Sequence, residues 1–184
     1  MNLSLSLSPY RTMARYNAWM NDKVYTAAGT LSDDQRKEDR GAFFGSIHGT
    51  LNHILLADLI WLQRFATADW DFPALEGLSF EPVMEITGLD MQLHDDFAAL
   101  TDERQVVDAA IRDWADTDLT ETVLADELTY FNILRQRQTT LDMGLCVTHF
   151  FNHQTHHRGQ VTTLLSQLGI DPGLTDMIAM PREG

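Results

Sequence analysis

The stretch HFFNHQTHHRGQ, from His149 to Gln160, holds four of the chain's seven histidines. His149, His153, His156 and His157 follow one another at spacings of four, three and one. On a helix, residues four apart share a face one turn apart. His149/His153 and His153/His157 are therefore each a two-ligand clamp for one divalent ion, and a third ligand must come from another element. The competing reading is a wet helix face with solvated histidines, because a lone HxxxH arises by chance. Four histidines in nine residues, followed by Arg158-Gly159-Gln160, are a denser signal than that.

The helix carrying this stretch is expected to start at Thr140 or Leu141. It runs on through Val161, Leu164, Leu165 and Leu168 to Gly169, a suitable C-terminal cap. Just upstream, Glu127 to Thr140 reads as a short β-hairpin. Leu128, Tyr130 and Asn132, then Thr139 and Leu141, flank a middle of Leu134-Arg135-Gln136 that lacks Asn-Gly turn chemistry.

Three more amphipathic helices precede the hairpin. Ser8-Pro9 opens the first, whose apolar positions Met13, Tyr16, Met20, Val24 and Ala27 lead to Gly29. Ser32-Asp33-Asp34 starts a short helical turn, and 39–45 is a loop. The second long helix spans Ser46 to Phe65 with the stripe Ile47, Leu51, Ile54, Asp58, Leu62 and Phe65. Asp58 interrupts that stripe, and a carboxylate on an apolar face needs a partner. His53 sits beside Ile54 at the stripe's edge, able either to point inward as a ligand or to pack. His48 lies about 140° away around the helix and reads as structural. Residues 68–87, with Pro73, Gly77 and Pro82, read as a long surface connection. The third helix is expected over Leu89 to Trp114, with Arg104 inside its apolar stripe and His94 off it, exposed. After Gly169, Asp171-Pro172-Gly173 is a turn and 174–184 a tail with apolar Met177, Ile178 and Met180. Four amphipathic helices with long connections imply a four-helix bundle, whose core is where facing helices assemble metal sites.

The totals agree with one all-α domain over 1–184. The chain has 184 residues, 44% of them hydrophobic and 22% charged, enough for a core without staples. Its net charge of −14 argues against nucleic acid and anionic membrane as partners. The single cysteine, Cys146, excludes an intrachain disulfide and suits a cytoplasmic location. The first residues, MNLSLSLSPYRTM, lack the pattern of a secretory signal, and no run approaches the roughly 18 apolar residues of a membrane span.

Four segments together, MARYNAWMNDKVY, SIHGTLNHILLADLIWLQRF, HFFNHQTHHRGQ and LGIDPGLTDMIAMPRE, resemble the DinB-like family of damage-inducible bacterial proteins, in the same order along nearly the whole chain. The resemblance implies an up-down-down-up bundle with a divalent metal on three histidines, and zinc and nickel both suit imidazole ligands. Carried onto this sequence the ligands are His53, in LNHILLAD, and His153 and His157, in NHQTHHRGQ. His48, His149 and His156 fall outside that pattern, with His149 a spare ligand one turn before His153. Relatives imply chemistry on a low-molecular-weight thiol, and members are often homodimers.

Three imidazoles leave positions open for water or a small-molecule substrate. A metal there lowers the pKa of a bound thiol or water, so the protein needs no nucleophilic cysteine of its own. Cys146 reads as a packed core residue. Asp58 and Gln160 are candidates to orient the imidazoles, with Arg158 an alternative partner for Asp58. Tyr16, Asn17 and Trp61 either line the pocket mouth or pack in the core, and Gly159 either permits close helix approach or is simply tolerated. The resulting expectation is a metal-dependent transferase that activates a small thiol. The alternatives are a non-catalytic metal-binding stress-response protein and a thiol-dependent isomerase.

Overall fold

The computed structural model describes residues 8–84, 86, 88–132 and 136–181. Leu134 and Arg135 of the expected hairpin turn, the first seven residues and the last three lie outside the described residues. In chain order the elements are α1 (Ser8–Gly29), α2 (Asp33–Lys37), α3 (Ile47–Ala66), α4 (Glu81–Met84), α5 (Phe97–Asp113), α6 (Glu121–Leu124), β1 (Glu127–Asn132), β2 (Arg137–Asp142) and α7 (Met143–Gln167). A π-helical turn, Trp114–Asp118, extends α5.

Local chemistry sets the boundaries. Ser32 closes a reciprocal capping box with Gln35 at the start of α2. Ser46 caps α3 by accepting from the Gly49 amide. A Cβ on Gly49 would stand 2.2 Å from the Phe44 carbonyl oxygen, so only glycine lets the incoming loop cross that close. Asp96 caps α5 by accepting from the Ala99 amide at 2.8 Å. The third long helix thus begins eight residues after the expected Leu89. The reason is visible in residues 89–96, whose backbone is taken up by α3 side chains. The His94 amide donates to Asn52 Oδ1 at 2.9 Å, and the His94 carbonyl accepts from His48 Nε2 at 2.8 Å and Asn52 Nδ2 at 3.1 Å. His94 is accordingly half-buried rather than exposed, its ring paired with Glu103.

The hairpin forms in the register Glu127↔Asp142 to Asn132↔Arg137, tied by a 2.8 Å hydroxyl pair between Thr129 and Thr140. Thr140 and Leu141 therefore belong to β2, and α7 starts only at Met143, whose amide donates to the Asp126 carbonyl. Tyr130 anchors the hairpin by packing edge-on against Trp61 at 5.5 Å.

Cross-helix contacts give the topology. Tyr10 meets Thr148 and Asn17 meets Arg158, so α1 and α7 run parallel. Tyr25 stacks on Phe97 while Asn17 bonds Asp108, so α1 and α5 run antiparallel. Asp58 pairs with Arg104 and Phe65 stacks on Trp114, so α3 and α5 run parallel. Up-down-down-up is the result, with α7 between α1 and α3. Leu51, Leu55, Leu59, Leu62, Phe65, Trp114 and Phe150 fill the centre with at most 1% exposure, each contributing roughly 1.5–3 kcal/mol by burial.

Candidate metal centre

His53 projects from the buried face of α3, and His153 and His157 from successive turns of α7. Because α3 and α7 are antiparallel neighbours, the three rings meet in the bundle. His153 Nε2 lies 3.1 Å from His157 Nε2 and 3.4 Å from His53 Nε2, and all three ligand atoms fall within 4.8 Å of one another. A Zn–N bond of about 2.0–2.1 Å in tetrahedral geometry sets two nitrogens about 3.3 Å apart, which matches the two distances from His153.

The outer ring nitrogens decide the tautomers. A carbonyl oxygen can only accept, so His53 Nδ1–H donates to the Leu89 carbonyl at 2.8 Å. His157 Nδ1–H donates likewise to Gln160 Oε1 at 2.8 Å. Both Nε2 atoms then carry lone pairs aimed at His153 Nε2. Three neutral rings have at most one Nε2 proton to share there, so the trio lacks hydrogen atoms to satisfy itself and has the donor set of a cation site. Burial, reinforced by the neighbouring imidazoles, depresses His153 to about 3 and is the main force taking His53 to about 4; burial also lowers His157. All three are the neutral form that a metal requires at pH 7. Phe44 stacks on the His53 ring at 3.7 Å between centroids and meets His157 edge-on at 5.5 Å, covering one side of the group.

The remaining sequence candidates separate cleanly. His149 is exposed, and His156 is exposed beside His157. Neither joins the converging nitrogens. His48 is fully buried and holds the 89–96 segment, as its position suggested. Gln160 does orient a histidine, whereas Asp58 does not. Cys146 is 1% exposed, and burial pushes its thiol up to about 11, so it is inert packing. Gly159 faces open space and brings no helix close. Tyr16 donates to the Thr175 carbonyl, Asn17 is buried in a polar network, and Trp61 lines the cavity beside the histidines.

That network is the feature the periodicity concealed. Arg104 on α5 pairs with Asp58 of α3 at 2.6 Å and with Asp108 at 2.9 Å. Asp108 accepts from Asn17 and Asn21 of α1, and Arg158 of α7 donates to Asn17. Four helices are thereby cross-linked through groups that are at most 8% exposed. Burial works against the Arg104 charge, but Asp108 and Asp58 outweigh it and hold the guanidinium charged. Burial raises Asp58 to about 6 against the pull of Arg104. Arg158 directly follows His157, so this network also fixes the rotation of α7 that turns its histidines toward α3.

The sequence profile of the DinB family matches residues 1–183. The chain belongs to the DinB family. It is 22% identical over 168 residues to Protein DinB of Bacillus subtilis (strain 168), covering 88% of this chain and 87% of that protein. The crystal structure of a DinB-like protein from Bacillus cereus ATCC 10987 shares the fold, with a TM-score of 0.55 at 15% identity over 85% of this chain and 90% of the other.

In this DinB-family bundle a cavity of about 360 Å³ opens beside the histidines, with His53 and His153 at one end. Trp61, Ile60 and Leu89 give it apolar walls, Tyr130 of the hairpin covers it, and Arg64 and His149 also face it. Among the described lining residues there is no carboxylate. Among the described residues no helix is long and apolar enough to cross a membrane.

Proposed function

We propose that the protein is a divalent-metal-dependent transferase that activates a low-molecular-weight thiol, with His53, His153 and His157 as the metal ligands. The carrying observation is the convergence of three neutral imidazoles, with His153 Nε2 at 3.1 Å from His157 Nε2 and 3.4 Å from His53 Nε2, and with two of the rings held by Nδ1–H donation to Leu89 and Gln160. Zinc and nickel both suit imidazole. The bound ion supplies Lewis acidity, which favours the thiolate form of a substrate thiol. The chain's own residues do the rest. Phe44 and the apolar walls exclude water, and Leu89 and Gln160 keep the ligand rings in one tautomer. His149, exposed on one side and partly desolvated on the other so that its pKa is lowered, faces the cavity one turn before His153 and takes the thiol's proton. A thiol-dependent isomerisation would use the same residues. The chain acts as one domain, 1–184, in the cytoplasm. The exposed tail residues Leu174 and Ile178, at 68% and 97%, support a homodimer.

Elemental analysis of protein purified without a histidine tag, beside the triple variant His53→Ala, His153→Ala, His157→Ala, tests the site. About one metal per chain in the parent and none in the variant supports it, and no metal after zinc or nickel loading overturns it. Transfer to an electrophile is then assayed with bacillithiol, mycothiol, glutathione and cysteine. Failure with all four favours the second reading, a non-catalytic metal-binding stress-response protein, which the absence of a carboxylate base in the described lining already fits. Slow exchange of any solvent ligand in a cobalt-substituted form would point the same way.

A further inference from the structure

The cavity has a second end. His53, Ala57, Ile60, Trp61 and Arg64 all line it, and their spacings of four, three, one and three form one stripe along α3. His53 and Arg64 are eleven residues apart, about 20° out of phase and about 16 Å along the axis. The long arginine side chain leans back toward the helix N-terminus, which brings its cation to roughly 10 Å from the histidines. The guanidinium is held between two rings, 4.3 Å from the centre of Tyr130 and 4.6 Å from that of Trp61. It is half-buried, and desolvation lowers its pKa. Among the described residues it has no carboxylate partner and no hydrogen bond, unlike Arg36, Arg40 and Arg104, each of which is paired. In a chain with a net charge of −14, an unpaired cation clamped in a cavity is a place made for an anion that the protein does not itself supply.

We propose that Arg64 binds the carboxylate of the substrate, so that the site takes an elongated thiol acid whose sulfur sits at the three histidines and whose carboxylate reaches the guanidinium across an apolar spacer. This rests on the proposed metal reading for the sulfur end alone. One cation in the described lining matches one negative charge, which favours a carboxylate over a phosphate dianion. The planar guanidinium fits a carboxylate bidentately, and Trp61, Ile60 and Ala57 give the span between the ends an apolar wall suited to a flat or aliphatic segment.

The test uses the full-length protein loaded with cobalt, with 8-mercaptooctanoate and 8-mercaptooctanol as probes and octanoate and octanol beside them. Calorimetry reads affinity for all four, and the cobalt spectrum reads sulfur ligation. The parent is expected to bind each acid about tenfold or more tighter than the matching alcohol. Arg64→Met should erase that preference while leaving the alcohols' affinities unchanged, and Arg64→Lys should retain part of it. Equal affinity for acid and alcohol in the parent overturns the proposal, as does a preference that survives Arg64→Met. The parent's own discrimination, and its decline with added salt, need no variant and remain informative if Arg64→Met folds poorly. Octanoate preferred over octanol, with no sulfur signal at cobalt, would uphold the arginine site and sink the metal reading alone.

Discussion

The carbonyl oxygen of Leu89 accepts a hydrogen bond from His53 Nδ1 at 2.8 Å. A residue outside any helix thus orients a histidine inside one. Leu89 is held there by the 89–96 segment, which Asn52 pins at His94 by donating through Nδ2 and accepting through Oδ1. Asn52→Ala should therefore weaken metal binding about tenfold or more and cost roughly 1–3 kcal/mol of stability. Chelator competition and urea unfolding measure the two effects. Unchanged affinity would show that the Leu89 contact does not matter to the site.

Gln160 gives the matching test on α7. Gln160→Ala removes the acceptor of His157 Nδ1–H and should reduce metal affinity by about 10- to 100-fold with little loss of stability, since Gln160 is only half-buried. Gln160→Glu should restore it. Equal affinity in all three proteins would count against the orienting role.

His149 and His156 should behave differently from the three ligands. Replacing either with alanine should leave about one metal per chain. His149→Ala should nevertheless slow thiol transfer by about 10²- to 10⁴-fold, the usual scale for a lost proton acceptor, whereas His156→Ala should not. Loss of metal from His149→Ala would make it a ligand instead.

Metal-free protein should lose stability as the pH falls. Histidine in the unfolded chain titrates near 6.5, while folded His53 lies at about 4 and His153 at about 3. Between those values the unfolded state binds more protons, so the stability held above pH 6.5 drains away as pH falls toward 4. Asp58, raised to about 6 by burial, works in the opposite direction from its unfolded value of 3.8. Comparing the parent with His153→Gln cancels that contribution. The variant should lose less stability between pH 7.5 and 5 in urea unfolding, and identical slopes would contradict the assignment.

Arg104 should be the costliest single change in the polar network. Arg104→Met leaves Asp58 and Asp108 buried without their shared cation, and breaking a buried pair from one side costs about 3–5 kcal/mol. Asp58→Leu and Asp108→Asn combined with it should recover part of the loss. A drop of under about 1 kcal/mol in Arg104→Met would mean that water, not Arg104, compensates the carboxylates.

Local pattern alone determined the four long helices, the hairpin and the crowded histidines of α7, because amphipathic period, caps and alternation are written within a few residues of where they act. Ser46 before Ile47 and the spacing of His153 and His157 are of this kind. The tertiary structure alone decided which histidines converge. His149 and His157 are equally spaced about His153 in sequence, and only the rotation of α7 against α3, set by Arg158, Asn17 and the carboxylates beneath, turns His157 inward and His149 toward the cavity. The late start of α5 was hidden for the same reason. Leu93 stands four residues before Phe97 and so extends the helical stripe backwards, but the carbonyls of Leu89 and His94 accept from His48, Asn52 and His53 on a helix some forty residues earlier. Arg104 and Asp58 each looked like a flaw in its own stripe. They are one ion pair, and a pairing between two helices has no signature in either.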